Sequence, residues 1–141
     1  MSSNTSTTFA DSFFMQQLPK IECSREAYLL LMTHHNPDCE EFWGIFINHQ
    51  LELLHYKLLH RGTLNYCKIH PRDLFREAVK YNAHSIIIAH NHTSTNYEPS
   101  EQDIKLTRQL IKASKVMEIP IIDHIVFNKY GFYSLKQNNV I

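Results

Sequence analysis

The sequence predicts an α/β domain in which a mixed β-sheet is flanked by helices. Three observations carry that expectation. Short runs rich in β-branched and aromatic residues alternate with stretches of helical periodicity, no linker or internal repeat interrupts them, and hairpin elements lie toward the ends. Such alternation is what an α/β layer architecture requires. With 141 residues, 43% of them hydrophobic, the chain can build one core without help from disulfides.

Residues 1–20 read as a tail that is partly flexible, and residues 21–141 as the domain. Met1–Thr8 is polar. The apolar cluster Phe13, Phe14, Met15 and Leu18 is expected to pack on the core, the other reading being an arm that contacts a partner. Ser24 is a candidate N-cap for a helix through Tyr28, Leu31 and Met32 that ends near His35, before Asn36-Pro37. The dense run Phe42–Ile47 reads as a buried strand. Leu51–Leu59 fits helix and strand almost equally by periodicity and is read as strand. Pro71 suits a first helical position and Asn82 can close that helix in a left-handed conformation. Ser85–Ala89 suits an interior strand. Pro99-Ser100 opens a long helix that stops before Pro120, and Ile121–Phe127 and Phe132–Leu135 are strands joined by a turn at Asn128–Gly131.

Composition bounds the function. Lysine plus arginine and aspartate plus glutamate both number 14, so no general electrostatic attraction to nucleic acid or acidic lipid is expected, although a local patch stays open. The 3 cysteines, Cys23, Cys39 and Cys67, form no C-x-x-C pair and suit a reducing cytoplasm. The start lacks the basic and apolar regions of a signal peptide, and the longest apolar run, Ala27–Met32, is far short of the ~20 residues that cross a bilayer. A soluble cytoplasmic protein is the expectation. The 10 histidines stand out, because imidazole is the commonest metal ligand.

The informative segment is His90-Asn91-His92 followed by Pro99-Ser100 and Asp103. Residues two apart in extended chain point to the same side, so His90 and His92 can aim at one ion. The loop after them can return Asp103 from the first turn of the next helix. Two imidazoles and a carboxylate, with a fourth position for water, make an open zinc set. The plain structural reading of the same residues is that Ser100-x-x-Asp103 is a capping box and that the histidines are polar loop residues.

The spacing H-x-H-x7-S-x-x-D resembles the JAMM motif of the JAB/MPN metallopeptidases, and more closely the RadC-like branch of that family. His70-Pro71-Arg72, Gly62–Asn65, Leu106-Thr107-Arg108, Asp123-His124 and Gly131…Ser134 extend the resemblance from about Ser24 to Leu135. It implies a single JAB/MPN-like (cytidine-deaminase-like) domain and supports reading Leu51–Leu59 as strand. It also implies Zn²⁺ held by His90, His92 and Asp103, and an upstream glutamate acting as general base. Glu41 is the expected base. Its neighbour Glu40 is the competitor, which strand alternation would turn to the other face. Ser100 would then donate a hydrogen bond to the oxyanion. Longer relatives of this type carry an N-terminal helix-hairpin-helix region, for which this chain is expected to have no room.

The resemblance departs in the loop: Thr93-Ser94-Thr95 replaces Pro-Ser-Gly, which predicts a looser loop with altered substrate fit. Tyr97 reads either as a substrate contact or as an aromatic lying on its own surface. His124 reads as a core or supporting histidine, and His34, His35, His49, His55, His60, His70 and His84 share no ligand spacing. The string His-Asn-His is not the scattered HNH nuclease signature, and the P-C-x-x-C half of a zinc deaminase is missing. The expected function is therefore a zinc-dependent hydrolase of peptide or isopeptide bonds with a peptide or protein substrate. The alternatives are hydrolysis of another amide, or a metal-containing module that binds a protein or DNA complex without turnover. Nucleic acid is not supported by charge, and substrate and oligomeric state are left open.

Overall fold

The computed structural model describes residues 18–62 and 69–141. The expectations for Phe13, Phe14 and Met15, for Thr63–Asn65 and for Cys67 lie outside them. Eight elements follow in chain order: α1 (Ser24–Met32), β1 (Glu41–Ile47), β2 (Leu53–Arg61), α2 (Pro71–Lys80), β3 (Ser85–Asn91), α3 (Glu101–Met117), β4 (Ile121–Asn128) and β5 (Gly131–Ser134). The strands form one sheet in the order β2-β1-β3-β4-β5. Only β3 and β4 run parallel; the other pairs are antiparallel, which makes the sheet mixed as expected. The stretch read ambiguously from periodicity is strand from Leu53 onward.

Every residue of β1 and β3 is buried, because both faces of the sheet are covered. On one face Phe42, Phe46, Ile86 and Ile88 pack with Leu74 and Phe75 of α2 and Leu110 of α3. On the other, Trp43, Ile45, Ile47, Ile87, Ala89 and Ile125 pack with Ala27 and Leu31 of α1. Period-two alternation therefore assigns odd and even positions of β1 and β3 to opposite layers. Trimming a buried aromatic such as Phe46 to alanine removes core volume worth about 3–5 kcal/mol.

The helix ends show where local chemistry and tertiary demand agree. Pro71 opens α2 and Asn82, at φ 53, follows it in the left-handed region, both as predicted. Helix α3 stops at Met117 with Glu118 left-handed before Pro120. Ser24 corrects an expectation. The N-cap of α1 is Cys23, with no side-chain cap bond, while the Ser24 hydroxyl donates to Asp123 Oδ2 across 2.8 Å. A buried carboxylate has taken the hydroxyl that would otherwise cap.

Candidate metal centre

The β3–α3 crossover places the end of one interior strand beside the start of the following helix, a common location for ligand sites in parallel α/β units. His90 follows Ile86 and Ile88 on the α2/α3 face of β3, and its ring stacks on Phe42, its cross-strand partner in β1. His92 lies just past the strand. Asp103 stands in the first turn of α3, 3% exposed. His90 Nε2 is 3.2 Å from Asp103 Oδ1 and His92 Nε2 is 3.2 Å from Asp103 Oδ2. One ligand atom from each of the three residues falls within 4.8 Å of the others. Tetrahedral zinc with bonds of about 2.0 Å would space its ligand atoms roughly 3.3 Å apart. The three residues predicted as ligands are thus brought together, and the group could hold a metal ion.

Proton placement tests the fit further. His92 Nδ1 lies 2.9 Å from the carbonyl of Asn96, which can only accept, so that nitrogen carries a proton. A neutral His92 then presents the Nε2 lone pair toward Asp103. Two lone pairs facing each other are unfavourable unless a cation or proton lies between them. The chemistry of the donor set therefore fits a divalent ion. Hydrogen bonding to Asp103 is the main influence raising the His92 pKa, since a proton serves the same place. Burial alone would push Asp103 up, but hydrogen bonding with His92, the field of His90 and the Ser100 contacts hold it well below the usual carboxylate range. Burial drives His90 down to about 4 against the pull of Asp103, which leaves the ring neutral at pH 7.

Ser100 and Asp103 satisfy both readings of their spacing. Ser100 Oγ accepts from the Asp103 amide at 3.1 Å, and the Ser100 amide donates to Asp103 Oδ2 at 2.7 Å. The capping box orients the carboxylate that faces the imidazoles. Accepting uses a lone pair of the Ser100 oxygen, so its hydroxyl proton is left for another acceptor.

The structure turns Glu41, the expected base, away from the His90 side of the sheet. Phe42 shares the face of His90, so its neighbour Glu41 points into the opposite layer. There Glu41 Oε1 accepts from the Asn36 amide at 2.9 Å and from Trp43 Nε1 at 3.2 Å, and Oε2 accepts from Arg61 Nε at 2.9 Å. Glu40, half-buried, feels the charges of both His92 and Asp103, and burial raises its pKa above the ordinary carboxylate value. Alternation between the two acids was read correctly; which face belonged to the ligands depended on the register with β3. Asn91 explains how this junction is held. Turned away from the ligands, its side chain accepts from the Glu41 amide at 2.7 Å and donates to the Cys39 carbonyl at 2.9 Å, clamping both sides of Glu40.

The loop after His92 meets the β4–β5 turn: Asn128 Nδ2 donates to the Ser94 carbonyl at 3.0 Å, and the Tyr97 ring covers Gly131. A Cβ on Gly131 would come within 3.1 Å of that ring, so a larger residue there would have to push the tyrosine aside by a few tenths of an ångström. Beside His92 opens a cleft of about 400 Å³ bordered by His35, Asp38, Thr93, Lys129 and Tyr130. A larger groove of about 810 Å³ between α2 and α3 is lined by Phe75, Val79, Val116 and neighbours and touches none of the ligands. Of the candidate residues the polar cleft touches His92, and Asn91 lines it too; His90, Asp103, Glu40 and Ser100 are not part of its wall.

Sequence reasoning left His124 as a core or supporting residue. It is fully buried on β4, with Nε2 3.3 Å from His90 Nδ1 and Nδ1 hydrogen-bonded to Thr107 of α3. Its place beside His90 follows from the parallel β3–β4 pairing, a contact that no local spacing announces.

A five-stranded mixed sheet with helices on both faces and a His-His-Asp group at one crossover defines a JAB-like domain. The RadC-like JAB domain family model matches residues 21–140, and the chain belongs to that family. Similar proteins include a UPF0758 protein of Enterococcus faecalis, 40% identical over 95 residues, covering 67% of this chain and 41% of that protein. Others come from Protochlamydia amoebophila, 36% identical over 122 residues (86% of this chain, 53% of the relative), and Desulforudis audaxviator, 37% over 119 (84% and 52%). The chain thus spans about half the length of the curated relatives it matches. Among the described residues no helix is long and apolar enough to cross a membrane.

Proposed function

We propose that the chain is a zinc-dependent hydrolase of peptide or isopeptide bonds. The observation that carries this reading is the convergence of His90 Nε2, His92 Nε2 and the Asp103 carboxylate, with the charges of His92 and Asp103 acting on Glu40. His90, His92 and Asp103 would hold the ion. Its chemistry there is Lewis acidity, which makes water a nucleophile near neutral pH and polarises an amide carbonyl.

The protein's own residues supply the rest. Glu40, displacing Glu41 in this role, would accept a proton from the attacking water and return it to the departing amine. Its raised pKa favours both halves of that exchange, because a base poised nearer the working pH also serves as an acid. Ser100 would donate its hydroxyl proton to the carbonyl oxygen as negative charge develops there. Asn91 fixes the backbone on either side of Glu40, and Asn128 and Tyr97 tie the loop after His92 to the β4–β5 turn.

The test is cleavage of a peptide and isopeptide library by the zinc-loaded chain. Activity should vanish with a chelator and return with zinc. Glu40→Gln should keep the zinc and lose about 10²–10⁴-fold in turnover, the range for removing a general base. Full activity in that variant would contradict the assigned base, and cleavage that ignores the chelator would contradict the reaction.

A further inference from the structure

We infer that Thr107 and His124 are positioning residues of the metal centre, fixing the tautomer in which His90 offers its Nε2 lone pair to the ion. The inference rests on the metal-binding reading above and follows from counting protons along one buried chain of contacts. Thr107 Oγ1 lies 2.7 Å from the main-chain carbonyl of Asp103, one turn earlier in α3. A carbonyl only accepts, so the single hydroxyl proton of Thr107 is donated there. Toward His124 Nδ1 the same oxygen can then only accept, and His124 Nδ1 must carry a proton.

His124 is wholly buried, touching Thr107, His90 and the Phe42 ring, with no carboxylate within hydrogen-bond reach among the described residues. A charged ring is disfavoured in such surroundings. His124 Nε2 is therefore a lone pair, and His90 Nδ1, 3.3 Å away, donates to it. His90, also neutral and buried, is left with an unprotonated Nε2 facing Asp103 Oδ1 at 3.2 Å. The chain of bonds begins at the Asp103 backbone and ends by aiming a lone pair back at the Asp103 side chain. His92 reaches the same state by a shorter route through the Asn96 carbonyl. Partners of this kind set ligand orientation and basicity, and their loss weakens metal binding 10–100-fold where tested.

The experiment measures zinc affinity of the full chain by competition with a chromophoric chelator, alongside the melting temperature of the metal-free form. Thr107→Val preserves side-chain volume but removes both roles of the hydroxyl, and should weaken zinc about 10–100-fold. Thr107→Ser keeps the hydroxyl and should bind within about threefold of the parent, well inside the loss that removing such a partner causes. Nitrogen-15 spectra of the imidazoles in the zinc-loaded parent should place the proton on Nδ1 in both His90 and His124. This reading needs no variant, so it decides the matter even if a substitution unsettles folding. Zinc binding by Thr107→Val as tight as the parent's, or a proton on His124 Nε2, would overturn the inference. Because affinity and ring protonation are read directly, the result is separable from whether any amide is cleaved. A parent chain that takes up no zinc would overturn this inference and the metal reading together.

Discussion

Two buried aspartates, Asp103 and Asp123, sit in different layers of this domain, and only one is chemically finished. Asp123 Oδ2 accepts from the hydroxyls of Ser24 and Ser134 at 2.8 and 2.6 Å, and Oδ1 accepts from the amides of His124 and Lys136 at 2.7 and 3.1 Å. Four donors from α1, β4, β5 and the segment after it close the carboxylate off as a structural knot. Asp103 receives the Ser100 amide and otherwise faces two imidazole nitrogens whose ring partners claim the proton elsewhere. An acid satisfied by donors holds a fold together; an acid confronted by lone pairs calls for a cation. Burial alone does not separate the two, since they are 3% and 6% exposed.

The sharpest way to break the comparison is to neutralise each acid. Asp103→Asn retains an oxygen for the capping box, so the chain should fold while zinc affinity drops by more than about a hundredfold, the upper end seen even for supporting groups. Asp123→Asn should do the reverse: equilibrium unfolding should show a loss of about 3 kcal/mol, as for a charge-assisted buried network, with zinc stoichiometry kept in the folded fraction. Equal zinc loss in both variants would erase the distinction.

The adjacent glutamates offer a second contrast. Glu41→Gln should lower stability by about 1–2 kcal/mol in denaturant titration, a figure held down because its partner Arg61 is 58% exposed. Turnover of the surviving fold should persist, whereas Glu40→Gln should spare stability and lose turnover.

Acid should separate the layers as well. Burial lowers the pKa of His90 to about 4 and also pushes His124 down, while both return near 6.5 on unfolding. The unfolded state therefore binds more protons between those limits, and stability rises with pH across that window. The metal-free chain should melt progressively lower from about pH 6.5 toward pH 4, while above about pH 6.5 the deprotonation of His92, whose folded pKa is raised by its hydrogen bond to Asp103, takes stability away again. A melting temperature flat across that range would contradict the buried neutral pair. The smallest expected effect is at the helix cap, where Ser100→Ala should cost about 1 kcal/mol of stability.

Much of the fold was legible because its signals are local. Pro71, Asn82 and the break before Pro120 mark helix limits by backbone chemistry, and apolar runs mark β1, β3 and β4. The grouping of His90, His92 and Asp103 was legible because they lie on one short connection between a strand and a helix start. The facing of Glu40 and Glu41 was not, because it needs the Phe42–His90 register across β1 and β3, about fifty residues apart in sequence. Ser24 misled for a similar reason: a long-range carboxylate outcompeted the local cap. The support of His90 by His124 arises only when β4 lies parallel to β3. Local chemistry was readable, and pairings made by the sheet were not.

The central claim is that His90, His92 and Asp103 form one open cation site. X-ray absorption spectroscopy on the zinc-loaded chain tests it most directly. The account predicts one tightly held zinc per chain with only nitrogen and oxygen neighbours at about 2.0–2.1 Å, including two imidazoles, and disappearance of that signal in Asp103→Asn. A sulfur shell near 2.3 Å, or zinc that washes off the unaltered chain, would contradict it.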